Sequence, residues 1–312
     1  MPPAHSLNPA AAMRTSPLPD ACDTGDDTDA GSGPRREFAF TPADFERVRR
    51  LIHRFAGISL SPQKQNMVYS RLARRLRATR CSSFAAYLAR LEQGDPVEME
   101  AFVNALTTNL TAFFREPHHF DILARHLKKI AGRATPSKPV RIWCSAASTG
   151  EEPYTLAMTA CEAFGTMTPP VAIIASDIDT RVLDAGRRGV YPMDRVEKLS
   201  PERLRRFFLK GSGAQEGLAR VRPELQKLIR FTQVNLLDDH WPEIPPPLDV
   251  IFCRNVMIYF DKPTQHRILE KFAPLLTDDG LMFAGHSESF MHAADIFHSL
   301  GRTVYELAHR RR

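Results

Sequence analysis

Two adjacent carboxylates, Glu151 and Glu152, follow a run of small residues in the middle of the chain. The run, Ser145 to Gly150, comes directly after an apolar segment, Val140 to Cys144, and Pro153 follows the two acids. Small side chains let a ligand approach the backbone, and proline is tolerated in the first turn of a helix. The stretch therefore predicts a strand that turns sharply into a helix and forms a cofactor-binding loop.

The acidic turn narrows the chemistry of the ligand. The sequence has neither the G-x-G-x-x-G fingerprint of a dinucleotide site nor a Walker A lysine. Two negative charges stand where a phosphate-binding loop would offer bare N–H groups. A small cationic cofactor with hydroxyl groups fits better, and S-adenosylmethionine carries both a sulfonium and a ribose. The alternative is an ordinary strand–turn–helix with solvated glutamates.

Polar residues also end the other predicted strands. Asp177 follows the apolar segment Val171 to Ser176, at the place where α/β cofactor folds hydrogen-bond a ribose. The alternative role for an acid here, a helix N-cap, suits Asp179 better. Asn235 and the run Arg254 to Tyr259 follow further apolar segments. Ligands of open α/β sheets lie beyond the carboxyl ends of the strands, so the sequence predicts that these side chains share one pocket.

A further polar group precedes the turn. Asn109, Thr111 and Arg115 are set among leucine and phenylalanine residues, and polar groups in such a setting need partners. Capping and turn formation is one interpretation. The other is the edge of a pocket, in which Arg115 offers a bidentate fork to a carboxylate. His118 and His119 are adjacent and are expected on different helix faces, so we do not interpret them as metal ligands.

The elements that position these residues fall into two domains. Residues 1–36 are rich in Pro, Ala, Ser, Asp and Gly and predict a disordered tail. Residues 37–106 show helical spacing of apolar residues with caps near Thr41, Ser61 and Ser82, which predicts a small helical domain. Residues 107–312 alternate apolar strands with helices, which predicts an α/β domain.

The α/β alternation is interrupted at residues 193–233. A short helix, Leu199 to Phe208, is followed by a glycine-containing turn. Leu218 to Val221 and Leu228 to Phe231 then have the pattern of short strands. We interpret this segment as a small β insertion, and insertions on an enzyme fold often hold a partner.

The helical domain carries charge of one sign. Ten Lys or Arg residues and no Asp or Glu occur from Arg47 to Arg80, and the second helix contains Arg71, Arg74, Arg75 and Arg77. A solvated helix face usually mixes both signs. This face favours an anionic partner. Because aromatic residues that could stack on bases are not interleaved with the arginines, an acidic protein helix is favoured over nucleic acid.

The composition of the chain also bears on its location in the cell and on metal binding. No apolar run approaches the roughly 18–20 residues of a membrane span, and no secretory signal pattern is present. The five cysteines are scattered, and no pair has metal-ligand spacing. We expect a cytoplasmic protein with reduced thiols, no metal and no membrane insertion.

The chain contains, in this order, N-L-T-A-F-F-R-E with H-H-F, S-T-G-E-E-P-Y, A-S-D-I-D, F-C-R-N-V-M-I-Y-F-D and G-H-S-E-S. Together these motifs resemble the CheR family, the bacterial chemoreceptor glutamate methyltransferases. The resemblance extends from about residue 38 to 308. It implies a doubly wound, Rossmann-like methyltransferase domain with a small β-subdomain, preceded by a small all-α domain.

The resemblance also implies an activity. Members transfer a methyl group from S-adenosylmethionine to glutamate carboxylates on the cytoplasmic helices of chemoreceptors, giving methyl esters and S-adenosylhomocysteine. Arg115 or Arg254 would hold a carboxylate, and Tyr259 would lie near the transferred methyl. The family's cofactor contacts correspond here to Asn109, Thr111, Arg115, Glu152, Asp177, Asn235, Leu236, Cys253 and Arg254.

Two substrate contacts follow from the same resemblance. The basic helix would face the acidic methylation helix of the receptor through Lys64, Arg71, Arg74, Arg75 and Arg77. The β-subdomain loop with Gly211, Gly213 and Arg220 resembles that of members that tether to a receptor C-terminal peptide by strand addition. A flexible glycine turn is the alternative. We expect a monomer.

Two other functions remain open on the sequence. A nucleic-acid methyltransferase would agree with the basic balance. However, Cys253-Arg254-Asn255-Val256 stands where amino-methylating enzymes have N/D-P-P-Y/F, and Phe252 replaces the proline of cytosine-5 enzymes. A non-catalytic regulator that binds S-adenosylmethionine as a signal is the second alternative.

Overall fold

Residues 36–308 are described by a computed structural model, so the predicted disordered tail lies, apart from Arg36, outside the described residues. The helices are α1 Pro42–Ala56, α2 Gln65–Thr79, α3 Phe84–Glu92, α4 Pro96–Leu106, α5 His118–Ile130, α6 Glu151–Phe164, α7 Thr180–Arg188, α8 Met193–Val196, α9 Pro201–Phe207, α10 Pro223–Gln226 and α11 Lys262–Phe272. The strands are β1 Val140–Cys144, β2 Val171–Asp177, β3 Val190–Pro192, β4 Phe208–Lys210, β5 Leu218–Val221, β6 Ile229–Gln233, β7 Leu248–Phe252, β8 Leu276–Phe283, β9 Phe297–Gly301 and β10 Val304–Leu307. None of the helices in this range is long and apolar enough to span a bilayer.

The helical domain forms where the apolar spacing predicts it, but the expected cap at Ser61 is wrong: its side chain makes no capping hydrogen bond, and a 3-10 turn, Pro62–Lys64, precedes α2. Thr41 and Asp44 make a capping box at the start of α1, and Gly57 ends that helix with φ of 68°. The third helix starts one residue later than expected, because the Ser83 hydroxyl, not that of Ser82, accepts the Ala86 N–H. Helices α1 to α4 pack their apolar faces into one core.

The main sheet of the described chain has seven strands in the order β6-β2-β1-β7-β8-β10-β9. The pairs β6–β2, β2–β1, β1–β7 and β7–β8 are parallel, and β10 is antiparallel to both of its neighbours. The predicted doubly wound α/β class is therefore confirmed. The strand order reverses between β1 and β7, and such a switch point is where open α/β sheets bind ligands.

One predicted strand lies in a different sheet from the one that the sequence indicates. The sequence places Leu228 to Phe231 in the β insertion, but Ile229–Gln233 pairs in parallel with β2 at the edge of the main sheet. The small sheet instead has the order β3-β5-β4, so it already begins at Val190, before residue 193. A five-residue apolar run has the same local pattern in either sheet. Its membership depends on long-range pairing, here with Ile173 to Asp177.

The C-terminal region contains the strand β10 and an edge strand, β9, that no sequence pattern indicates. Strand β9 pairs antiparallel with β10, and only Phe297 of β9 is buried. A short edge strand with one buried apolar residue lacks the alternation that would indicate it.

Candidate cofactor and active site

The loop between β1 and α6 follows the predicted strand–turn–helix path. Ser148 has φ of 47° and Gly150 has φ of 100°. A Cβ atom on Gly150 would lie 2.7 Å from the Tyr191 hydroxyl and 2.9 Å from the Gly186 Cα, so only glycine fits there. The loop is thereby drawn close to α7 and β3, and its Ser148 end turns toward the tip of β2.

Asp177 at the tip of β2 receives that loop. Its Oδ2 accepts the Ser148 backbone N–H at 2.8 Å, and its Oδ1 accepts the Asp179 N–H at 3.0 Å. Burial raises the pKa of the Asp177 carboxyl to about 6, although the backbone N–H groups favour its charged form. A carboxylate has about four lone-pair sites, so Asp177 can accept a ligand hydroxyl as well as these N–H groups.

Asp179 is the N-cap of a helix, as the sequence suggests, and it also binds the segment that follows the helical domain. It caps α7 by accepting the Arg181 N–H at 3.0 Å. Its Oδ2 also accepts hydrogen bonds from the Thr107 hydroxyl at 2.8 Å and the Asn109 amide at 3.0 Å. The segment that leaves the helical domain is thus fastened to the sheet beside Asp177.

Arg254, which follows β7, is the second centre of the site. Its side chain is fully buried and its guanidinium donates to Glu152 Oε2 at 2.8 Å and to the Arg115 carbonyl at 2.6 Å. The Glu116 carboxylate lies 3.4 Å from the same guanidinium. Burial raises the pKa of Glu152, and the Arg254 charge opposes that shift. Glu151, by contrast, binds Arg195 and does not line the same space as Glu152.

These residues surround a cavity of about 430 Å³ at the switch point. This volume is within the range of small-molecule sites, roughly 300–1,000 Å³. The sequence-predicted residues that line it are Lys64, Arg71, Asn109, Thr111, Arg115, Glu152, Asp177, Asn235, Leu236, Arg254 and Tyr259. Cys253 does not line it. The Cys253 side chain is fully buried in the core beside the cavity, and burial raises the pKa of its thiol.

The comparison with protein families identifies the cofactor. Residues 43–107 match the family described as CheR methyltransferase, all-alpha domain, and residues 109–306 match CheR methyltransferase, SAM binding domain. The chain belongs to the CheR methyltransferase family. Its cofactor is S-adenosylmethionine. The residues present fit that molecule, since the carboxylates of Asp177 and Glu152 line the cavity and suit hydroxyl and cationic groups.

Relatives named as chemotaxis methyltransferases match most of the chain. A protein named chemotaxis protein methyltransferase 2 from Pseudomonas aeruginosa is 54% identical over 88% of this chain and 96% of its own length. Proteins named chemotaxis protein methyltransferase from Salmonella typhimurium and Escherichia coli are 50% and 49% identical, over 88% and 86% of this chain and 93% and 92% of their own lengths.

The CheR helical domain forms one wall of the cavity, which the sequence did not reveal. Ala56, the segment Ile58 to Ser61 and Met67 contribute lining atoms. The Ser59 N–H donates to the Tyr259 carbonyl at 2.9 Å, and the Asn235 amide donates to the Phe55 carbonyl at 2.7 Å. The Asn235 amide N–H is therefore used to hold the two domains together. No local pattern in these segments indicates a contact across 180 residues.

The predicted basic face divides into residues with different roles. Arg75 is not part of a free surface, because it forms a two-point ion pair with the buried Glu98, with its Nε at 3.0 Å and its second nitrogen at 2.6 Å. Arg71 donates to the Thr107 carbonyl at 2.7 Å and reaches the cavity. Arg74 and Arg77 are exposed. Arg71 and Arg75 lie one turn apart on a helix face that packs against α4.

The acid of the R-E-P-H-H segment, Glu116, belongs to the site although its sequence context did not single it out. Burial alone would raise the pKa of Glu116, but hydrogen bonds from His286 and the Arg254 charge hold it at about 2. Glu116 also lies near His118 and His119, and ligand atoms of the three fall within 4.8 Å of one another. The centroids of the His118 and His119 rings are 4.2 Å apart. Because Glu116 already pairs with His286 and Arg254, we assign no metal to this group.

Proposed function

We propose that this protein transfers methyl groups from S-adenosylmethionine to glutamate carboxylates on the cytoplasmic helices of chemoreceptors. The products are glutamate methyl esters and S-adenosylhomocysteine. The names of the relatives support a role in chemotaxis. The observation that carries the proposal is the composition of the cavity, where Lys64 and Arg71 of the helical domain line the same space as Glu152 and Asp177. An incoming carboxylate would meet positive charge on one wall and the cofactor residues on the other.

Methyl transfer to a carboxylate requires no general base from the protein. The bound cofactor supplies an electrophilic methyl group on a sulfonium. A free glutamate carboxylate has a pKa of about 4.3 and is already ionised at neutral pH, so the protein needs no general base. Its residues have to orient the acceptor and exclude water, and such proximity is worth roughly 7–11 kcal/mol.

The site suggests a division of roles. Asp177 would accept the ribose hydroxyls, because it lines the cavity and a carboxylate can accept further hydrogen bonds. Arg115 or Arg254 would hold a carboxylate, of the substrate or of the cofactor. The remaining predicted contacts, Asn109, Thr111, Asn235 and Leu236, would meet the cofactor from the two loops that flank Asp177.

A labelling experiment tests the activity against its two alternatives. The protein is incubated with methyl-labelled S-adenosylmethionine and, separately, with receptor cytoplasmic fragments or nucleic acid. We expect label on the receptor fragment that mild base releases, as it does from methyl esters. Label on nucleic acid would support the nucleic-acid methyltransferase. Tight S-adenosylhomocysteine binding with no transfer to either acceptor would support the non-catalytic regulator.

Tyr259 provides a test of positioning near the methyl group. It ends the short 3-10 helix Met257–Tyr259, lines the cavity and is half-buried. We expect Tyr259→Phe to lower kcat by about ten-fold, which corresponds to about 1.4 kcal/mol, with little change in S-adenosylhomocysteine affinity. Tyr305→Phe, which removes a hydroxyl in the core of the sheet, serves as the control. An unchanged kcat in the Tyr259 variant would exclude this role.

The small sheet has a surface suited to peptide tethering. Arg220 on the central strand lies directly opposite Val190 on one edge strand and Leu209 on the other, and all three side chains are exposed. Directly opposite residues share one face of a sheet. Gly213, with φ of 57°, lies in the loop that joins β4 and β5, and the Gly211 N–H donates to the Leu218 carbonyl at 2.8 Å. We propose that a receptor C-terminal peptide pairs with an edge of this sheet, as strand addition requires.

Calorimetric titration with receptor C-terminal peptides tests the tether. We expect binding that Arg220→Ala weakens by about ten-fold, because the arginine would face an acidic group of the peptide. Arg205→Ala removes an equal charge from the exposed surface of α9 and is expected to leave binding unchanged. If no peptide binds the unaltered protein, the tether is absent and the loop is a glycine turn.

The proposed substrate suggests where the protein is located, and we also propose an oligomeric state. The receptor helices are cytoplasmic, and we therefore place the protein in the cytoplasm. We propose that it acts as a monomer, and light scattering is expected to give a mass near 35.2 kDa.

A further inference from the structure

The cofactor loop is bonded to the small-sheet insertion on the side that faces away from the cavity. Glu151 is completely buried, and its Oε1 accepts a hydrogen bond from Arg195 at 2.5 Å. Its Oε2 accepts one from the Thr149 hydroxyl at 2.6 Å. Arg195 belongs to α8, which follows β3 in the insertion. A buried carboxylate that is fully bonded holds its neighbours in one arrangement.

A second bond fastens the same loop to the same insertion. The Tyr191 hydroxyl, on β3, donates to the Thr149 carbonyl at 2.8 Å. The ring of Tyr191 is buried, and Gly150 lies against its hydroxyl. Ser148 is held at a positive φ that non-glycine residues seldom adopt, so surrounding contacts must maintain it.

The two sides of the loop have different partners. On the cavity side, the Ser148 N–H binds Asp177 and Glu152 binds Arg254. On the other side, Thr149 and Glu151 bind Tyr191 and Arg195. Among the described residues, Glu151, Tyr191 and Arg195 do not line the cavity, so they act on the cofactor only through the loop.

We propose that Arg195, Glu151 and Tyr191 are positioning residues for the cofactor, through which the small-sheet insertion sets the shape of the loop and hence the affinity for S-adenosylmethionine. The proposal rests on the cofactor roles given above to Asp177 and Glu152. It gives the insertion a task within methyl transfer that is separate from any peptide tether. It also gives the two adjacent glutamates distinct tasks, one toward the insertion and one toward Arg254.

Helix α6, which begins at Glu151, also carries an ion pair that serves as a control. Arg203 on α9 of the insertion binds Glu162 with its Nε at 2.7 Å and its second nitrogen at 2.9 Å. Glu162 lies eleven positions after Glu151 on α6, which places it about 16 Å further along the helix. Both pairs join the insertion to α6, but only the Arg195 pair lies next to the cofactor loop.

The experiment compares three variants with the unaltered protein. The first is a double variant that carries both Arg195→Met and Glu151→Gln. The second is Arg195→Lys, and the third, Glu162→Gln, is the control. The double variant leaves no unpaired buried charge, so it is the one expected to fold well. The readouts are the Kd for S-adenosylhomocysteine, the KM for S-adenosylmethionine, the KM for a receptor fragment, and Tm. We expect the double variant to raise the Kd and the cofactor KM by about ten-fold with an unchanged KM for the receptor fragment. Arg195→Lys should recover part of the affinity, and Glu162→Gln should match the unaltered protein.

The proposal is overturned if the double variant is folded and binds S-adenosylhomocysteine within two-fold of the unaltered protein. It is also overturned if Glu162→Gln weakens cofactor binding equally, since the pair would then act only by attaching the insertion. If Tm falls so far that the double variant is unfolded at the assay temperature, the Arg195→Lys Kd decides in the same way. Binding of S-adenosylhomocysteine requires no methyl acceptor, so failure of the proposed glutamate methylation leaves this test intact.

Discussion

Replacing Arg254 with lysine is expected to lower kcat/KM for S-adenosylmethionine by about a hundred-fold. The guanidinium reaches two acceptors at once, Glu152 at 2.8 Å and the Arg115 carbonyl at 2.6 Å, and its side chain has no exposed surface. A lysine ammonium keeps the charge but not the planar fork, so it cannot satisfy both acceptors in the same geometry. Steady-state kinetics with a receptor fragment measures the loss.

A control separates this effect from the general loss of an arginine fork. Arg133 also contacts two acids, Asp249 and Asp279, each at 2.8 Å, but Asp249 lies at the start of β7 and Arg254 follows its end. We expect Arg133→Lys to retain nearly full activity with a small loss of Tm. Arg254→Met would leave Glu152 buried without its partner, which costs about 3–5 kcal/mol of stability. Activity of Arg254→Lys within three-fold of the unaltered protein would contradict the proposed role.

Asp177→Asn is expected to weaken S-adenosylhomocysteine binding by about a hundred-fold. Both carboxylate oxygens accept backbone N–H groups, from Ser148 at 2.8 Å and Asp179 at 3.0 Å. An amide has one oxygen, so its NH₂ group would face one of these donors and displace the loop. The amide would also lose one acceptor for the ribose. Isothermal titration calorimetry measures the affinity directly.

The pH dependence of binding provides an independent check on Asp177. Burial raises the pKa of this carboxyl to about 6, so the cofactor-free protein carries a proton there at lower pH. If the ionised form accepts the ribose hydroxyls, affinity falls as pH drops below this pKa, by up to about ten-fold per pH unit. Asp177→Asn should remove this dependence in that range. A Kd that does not change across the acidic side of this pKa in the unaltered protein would argue against a ribose contact.

The raised pKa of Asp177 also affects stability. Its contribution changes with pH in the opposite direction to that of an acid whose pKa is lowered by folding. The folded protein binds the Asp177 proton more tightly than the unfolded chain does, so this group's contribution to stability falls as pH rises from about 4 to 6. Ionisation of the buried carboxyl costs about 3 kcal/mol. Asp177→Asn removes that cost and loses a hydrogen bond worth about 1–3 kcal/mol. We therefore expect Tm at neutral pH to change little, so that the affinity loss reports on the site.

Local sequence determined the elements and the kind of cofactor. The cap at Thr41, the turn from β1 into α6 and the acid at the tip of β2 depend on residues within a few positions of each other. Caps, turns and strand ends follow local conformational preferences, and parallel strands bring their carboxyl ends to one edge of a sheet. For that reason, the order of residues along the chain was enough to assign acids and amides from separate strands to one pocket.

Only the tertiary structure decided which partner each charged side chain found. Arg75 pairs with Glu98 on another helix, and Glu151 binds Arg195 while its neighbour Glu152 binds Arg254. Ile229–Gln233 belongs to the main sheet because it pairs in parallel with the edge of β2. These choices depend on atoms brought together from distant positions, and sequence spacing does not encode them. The two adjacent glutamates were therefore recognised from sequence as a cofactor-loop feature, while their separate tasks followed from the packing of the insertion and the strand ends on either side.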